Sequence, residues 1–358
     1  MKLFSKRRGL SLGAVLTAGV MALTGCGSVA DTSEFGELYV RLSWQKDITA
    51  AGAYFADQHG YYTDEGFSKA ELLSGGQASP PVASDVVQGN ALYGIDGPDY
   101  AAQAIKAGAP LSIVGCQYQE TPIAVISAAD SGIAGAKDLV GKKIAVQDAN
   151  QPVIQAIFEA NKIDPKSVTV VPWQGDATTL AGGEVDAVLA FGPEYMVALN
   201  NIGFDYRRDL VSQFGIHNMT YCYEVTGDAL KTKRPQIKAA LKAEVRGWRD
   251  ALADPDQAAD YALHTYGKDL GLDADAQKKI LCADSQIMVT DETRKNGLFT
   301  MSDDLIEKNM QSLAQSGFGD IKREDLFDTS LLDEIYKENP ELKEVPKVGC
   351  SPADMLDH

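Results

Sequence analysis

Strand and helix signals alternate along residues 38–200, and the alternation starts twice. In the first round, residues 38–42 are an apolar run of strand length and 50–60 carry a helical pattern. Residues 71–73 are a strand closed by Gly75-Gly76, and 80–88 are a helix with prolines in its first turn. Residues 91–95, 99–106 and 111–114 continue as strand, helix and strand. The second round places strands at 143–146, 168–171 and 187–190, and helices at 153–161, 178–183 and 195–200. Repeated β-α-β order predicts parallel sheets with helices on both faces, the doubly wound arrangement of an α/β chain.

Two extended runs, 116–127 and 219–225, follow the two rounds. Beyond them the chain reads as helix to its end. The helix opened by Pro235 puts Ile237, Leu241, Val245, Trp248 and Leu252 on one stripe, which assigns Trp248 to a core. Lobe one is expected from 36–118 plus 224–350, and lobe two from 122–220. Two lobes joined by two crossings form a hinged clamshell, and ligands of such sheets sit beyond the carboxyl ends of the strands.

The amino terminus predicts where the protein works. Lys2, Lys6, Arg7 and Arg8 precede an apolar stretch over 10–23, which ends in Leu23-Thr24-Gly25-Cys26. Small residues before a cleavage point mark a secretory signal, and a cysteine directly after them has the form of a bacterial lipobox. Residues 1–25 are therefore expected to leave as a signal peptide. Cys26 would carry lipid and hold the chain at the extracytoplasmic face of the cell membrane. Residues 26–37 would form a tether. Without residues 1–25, which hold four positive and no negative side chains, the net charge moves from −17 to −21. Such an acidic surface excludes nucleic acid as a partner. Cys116, Cys222, Cys282 and Cys350 contain no CxxC pair, so a zinc or redox motif is not expected. Disulfides and buried thiols both fit their spacing.

Several motifs recur in a fixed order. Trp44-x-x-Asp47-x-x-x-Ala51-Gly52-x-Tyr54-x-Ala56 leads into Gly60-Tyr61-Tyr62-x-x-Glu65-Gly66 and Gly75-Gly76. Gly94-Ile95-Asp96-Gly97-Pro98, Gly108-x-Pro110-Leu111 and Gln119-x-Thr121-Pro122 come next. Asp138-Leu139-x-Gly141-Lys142 and Gly183-x-Val185-Asp186-Ala187 complete the set. In order and spacing this resembles the solute-binding lipoproteins of ABC importers, in the branch that takes up pyrimidine precursors of thiamine; relatives bind riboflavin, sulfonates or nitrate. The resemblance implies a type II periplasmic-binding-protein-like clamshell with a helical C-terminal tail on lobe one. It implies a receptor without chemistry or cofactor that works with ABC permease subunits. A thiamine pyrimidine precursor is the first ligand it implies, with riboflavin or a sulfonate- or nitrate-type anion as alternatives. The same branch holds fungal enzymes that build the thiamine pyrimidine, the alternative from another class. Their Asn-His pair would fall at Thr49-Ala50, and only Cys116 stands near the position of their cysteine-rich stretch.

The expected ligand-binding residues sit at strand ends and crossings. Trp44 follows the first strand and offers a flat face to a ring, with Asp47 in the same loop as ligand partner or helix cap. Tyr54 belongs to the same motif. Gly76 and Gln77 precede a helix, where bare N–H groups form an anion cradle or simply a turn. Asp96 follows the third strand, and Tyr118 and Gln119 lie on the first crossing. Gln147 and Asn150 mirror the Trp44 loop in lobe two, and Trp173 ends the next strand. Glu194 stands where the resembled pyrimidine binders carry an acid, or simply complements a helix N-terminus. Tyr221 lies on the return crossing, as pocket wall or hinge packing. There is no GxSxG, P-loop or HExxH, and the four histidines are scattered, so neither a catalytic motif nor a metal cluster is expected.

Overall fold

The computed structural model describes residues 33–76 and 79–356. The leader, Cys26 and Gln77 lie outside these described residues. The first sheet contains β1 (Gly36–Arg41), β2 (Phe67–Leu73), β3 (Tyr93–Asp96), β4 (Leu111–Tyr118) and β10 (Thr220–Thr226), in the order β2-β1-β3-β10-β4. The second contains β5 (Ile123–Ala128), β6 (Lys143–Val146), β7 (Thr169–Pro172), β8 (Ala187–Phe191) and β9 (Tyr206–Leu210), in the order β7-β6-β8-β5-β9. The chain thus forms a two-lobed α/β clamshell with a mixed sheet in each lobe.

The two sheets follow one plan. In each, four strands run in one direction, and the strand arriving from the hinge inserts antiparallel between the third and the fourth. β10 enters between β3 and β4, and β5 enters between β8 and β9. The extended run 116–127 therefore resolves into the end of β4 and all of β5. β9 is a strand the sequence pattern does not reveal. Its Arg207, Arg208 and Asp209 break the apolar signal because it pairs only with β5 and forms a sheet edge.

The helical tail packs onto lobe one at close range. The Arg234–Ala253 helix buries Ile237, Leu241, Val245, Trp248 and Leu252, the predicted stripe. It lies against the Ala51–Gln58 helix, and glycines permit the approach: a Cβ on Gly247 would stand 2.0 Å from the Gly52 carbonyl oxygen, and one on Gly52 would overlap the Trp248 ring. Beside this contact is a buried polar knot. The hydroxyls of Tyr62, Tyr93 and Tyr223 donate to the Glu244 carboxylate at 2.7, 2.7 and 3.1 Å, and Gln117 Nε2 donates to Tyr223 at 3.0 Å. Burial raises the Glu244 pKa, and the tyrosine donors oppose that shift. The knot ties β3, β4, β10 and the tail together, since a buried carboxylate requires all its partners in place.

All four cysteines beyond Cys26 are bridged. Cys116 and Cys222 face each other across β4 and β10 and form a disulfide, as do Cys282 and Cys350. The first pins the strand that leaves lobe one to the strand that returns. It closes a loop of 106 residues in sequence separation, which restricts the unfolded chain strongly. Replacing both Cys116 and Cys222 by alanine should lower the unfolding free energy by about 2–4 kcal/mol. Urea denaturation of the oxidised protein and the double variant measures this, and an unchanged midpoint would show that the bridge does not constrain the unfolded chain.

Candidate ligand cleft

The carboxyl ends of the parallel strands of both lobes meet at one cleft. Ser43 follows β1, Asp96 ends β3, Asn150 follows β6 and Phe191 ends β8; all four line a cavity of about 180 Å³ between the lobes. Thr121 and Tyr221 from the crossings complete its walls. This is where doubly wound sheets present polar groups to a ligand. A larger cavity of about 900 Å³ opens beside it on lobe one, and Trp44, Gly76 and Asp96 are among its lining residues.

Behind Tyr221 the two lobes bring carboxylates together. Asp47 lies in the loop after β1, Glu194 in the first turn of the Gly192–Asn201 helix, and Asp284 on the Ala274–Met288 helix, which packs against the Gly192–Asn201 helix. Each bears on Tyr221 electrostatically, and Asp47 and Glu194 bear on Asp284. The Asp47 carboxylate accepts from the Thr49 amide at 2.9 Å and from its hydroxyl at 2.5 Å. Burial raises the Asp47 pKa against these bonds. The Tyr118 hydroxyl donates to Asp284 Oδ2 at 2.8 Å, while Asp284 Oδ1 is buried without a hydrogen-bond partner. Burial lifts Asp284 well above the usual carboxylate range, Glu194 and Asp47 add to this, and Arg208 opposes it.

Glu194 is exposed in the first turn of its helix and is not among the residues lining either cavity, yet protein packs closely around its carboxyl group. Burial, and then Asp47, pushes its carboxyl up to about 7. The positive end of its helix would favour the ionised form, so the upward shift shows that crowding outweighs the helix. Among the described residues, no group of three His, Cys, Asp or Glu side chains is placed to hold a metal ion.

The expected site residues separate by place. Asp96, Asn150 and Tyr221 line the cleft, and Trp44, 37% exposed, and Gly76 line the neighbouring cavity. Four others are taken up in packing. Tyr54 is buried, stacks on Tyr266 at 4.1 Å and donates its hydroxyl to the Asp47 carbonyl at 2.8 Å. Tyr118 is buried on Asp284. Gln119 is buried, with its side chain donating to the Cys116 carbonyl at 3.4 Å and its amide to Ile287 at 2.9 Å. Trp173 is buried edge-on to Tyr195 and donates to the Asp176 carbonyl at 3.2 Å. Gln147 is half-buried beside Gly175.

The Gly75-Gly76 turn also departs from an anion cradle. The Gly75 amide donates to the Trp44 carbonyl at 2.7 Å, and a Cβ on Gly75 would stand 2.3 Å from the Ser43 carbonyl oxygen. The glycine therefore packs two loops together and holds Trp44 in position. Sequence reading missed Ser43, Tyr100, Thr121, Phe191 and Asp284. Asp284 had a readable signal, because it interrupts the buried stripe of Ile280, Leu281, Ile287 and Met288.

The sequence matches the family described as NMT1/THI5 like over residues 47–258. The chain belongs to this family. A riboflavin-binding protein, RibY of Chloroflexus aurantiacus, is 24% identical over 237 residues. That match covers 63% of this chain and 66% of the relative, just under two thirds of its length. The periplasmic aliphatic sulphonate binding protein SsuA of Escherichia coli has the same fold, with a TM-score of 0.60, 17% identity, and 87% and 90% of the two chains covered. The desulfurization enzyme DSZB shares it too, with a TM-score of 0.58, 14% identity, and 84% and 99% covered. The fold thus serves both binding and catalysis.

The raised Glu194 pKa has a consequence for the empty protein. The folded state holds the proton more tightly than the unfolded chain. The resulting stability is fully present below the ordinary carboxylate value of 4.5 and is lost as pH rises through about 7. Glu194→Gln should therefore melt above the parent at pH 8 and level with it at pH 4. A parent that stays level with the variant at pH 8 in calorimetric scans would show that crowding does not disfavour the ionised form.

Proposed function

We propose that the protein is the solute receptor of an ABC importer and binds a small heteroaromatic compound with N–H donors between its lobes. Family membership and a cleft at the strand ends of both lobes support the receptor role. One observation carries the ligand class: Asp47, Glu194 and Asp284, from both lobes and the tail, lie close enough to act on Tyr221, which lines the cleft. A carboxylate that accepts N–H bonds penalises ligands without donors. An anion would meet repulsion there, and the Gly75 amide is already taken. A thiamine pyrimidine precursor, with an amine beside ring nitrogens, fits this chemistry. Riboflavin is a second reading, favoured by the likeness to RibY.

No chemistry is assigned to the cleft. Thr49 and Ala50 stand where the resembled pyrimidine-building enzymes carry an Asn-His pair, and the Thr49 hydroxyl is spent on Asp47. The two disulfides suit an oxidising, extracytoplasmic compartment. Among the described residues no helix is long and apolar enough to cross a membrane. Membrane attachment is assigned to Cys26, beyond those residues. Cys26→Ser should release the protein to the medium or leave it as uncleaved precursor. Retention of a correctly matured variant in the membrane fraction would remove the lipid anchor from this account.

Trp44 and Glu194 should divide the work of binding. Trp44→Ala should weaken all aromatic ligands together, because any flat ring meets the same π-face. Glu194→Gln should weaken an aminopyrimidine by about 1–3 kcal/mol and spare rings without an amine. Titration calorimetry with 4-amino-5-hydroxymethyl-2-methylpyrimidine measures both effects. Full affinity in a folded Glu194→Gln variant would take the thiamine-precursor reading away from this carboxylate.

A further inference from the structure

The larger cavity has no role in a receptor whose ligand lies wholly between the lobes. It runs along lobe one between the Val82–Gln88 and Pro98–Lys106 helices and measures about 900 Å³, against about 180 Å³ for the cleft. Pockets for drug-sized ligands span roughly 300–1,000 Å³, so the cleft alone is small and the cavity is ample. Its walls are largely apolar, with Pro80, Val82, Val87 and Ala104 among them. Trp44, Val87 and Tyr100 all line it, and they are three of the six large hydrophobic side chains exposed among the described residues. Exposed apolar surface gathered in one concave place marks a binding site rather than scatter.

The cavity adjoins the cleft. Ser43, Asp96 and Tyr100 line both. Asp96 therefore stands in the wall the two spaces share, and its Oδ1 accepts from the Gly97 amide at 2.9 Å. A ligand lying across this shared edge would keep N–H donors near Asp96 and lay further rings between the two helices.

We propose that this groove is a second ring-binding subsite, and that the solute is an elongated, flat heteroaromatic of two or three fused rings. The inference rests on the receptor reading above and, within it, favours the riboflavin-like reading over the one-ring precursor. Val87 and Ala104 line the groove and not the cleft, so they separate the two spaces. Val87→Glu puts a charge on an exposed helix position, and Ala104→Trp fills the groove. Riboflavin serves as the three-ring probe, read by flavin fluorescence, and 4-amino-5-hydroxymethyl-2-methylpyrimidine as the one-ring probe, read by calorimetry. Thermal melts confirm that each variant is folded.

The expected result is riboflavin binding to the parent that falls at least tenfold in both variants, with one-ring affinity, where measurable, changed less than twofold. Riboflavin affinity unchanged in either folded variant overturns the groove, as does an equal loss for both probes. A parent that binds the one-ring probe but not riboflavin overturns the groove and leaves the receptor reading standing. A parent that binds neither probe overturns both.

Discussion

Each lobe depends on a strand delivered across the hinge. β10 and β5 insert antiparallel into their sheets and complete them, so neither sheet is whole without the chain crossing over. The crossings are therefore structural members rather than linkers. They must remain extended and hydrogen-bonded, and this fixes the strand ends of both lobes at a common cleft. The Cys116–Cys222 bridge and the Glu244 knot reinforce the lobe-one side, where β4, β10 and the tail meet.

That arrangement also explains the polarity of the site. Tyr221 sits at the start of β10 with φ of +52°, a left-handed backbone value that few non-glycine residues adopt. There it forms a cleft wall, and carboxylates from a lobe-one loop, a lobe-two helix and the tail lie near enough to act on it. Gathering three acids at one point costs stability unless a ligand offers donors or protons offset the charge.

Much of this was legible from residue order. The repeated alternation gave the two sheets, because buried parallel strands need apolar runs and intervening helices need amphipathic ones. The hinge crossings showed as extended runs without helices. What escaped the sequence had physical causes. β9 carries charges because it is an edge. The disulfide pairing depends on β4–β10 register, which spacing along the chain does not encode. Tyr118 and Trp173 look like site residues at strand ends, and Tyr54 like one in the Trp44 motif, but an aromatic ring there serves a wall or a core equally well, and tertiary packing decides. Asp284 arrives from the tail, far in sequence from the loops it joins. The groove is a property of two helices side by side, and nothing in either one alone announces it.

The central claim is that the cleft and its carboxylates retain a ring with N–H donors. Native mass spectrometry of the protein purified from its own cells tests it most directly. The account predicts one noncovalently bound heteroaromatic molecule per chain, released on denaturation with its covalent structure intact. A retained sulfonate, nitrate or other ringless anion would contradict it.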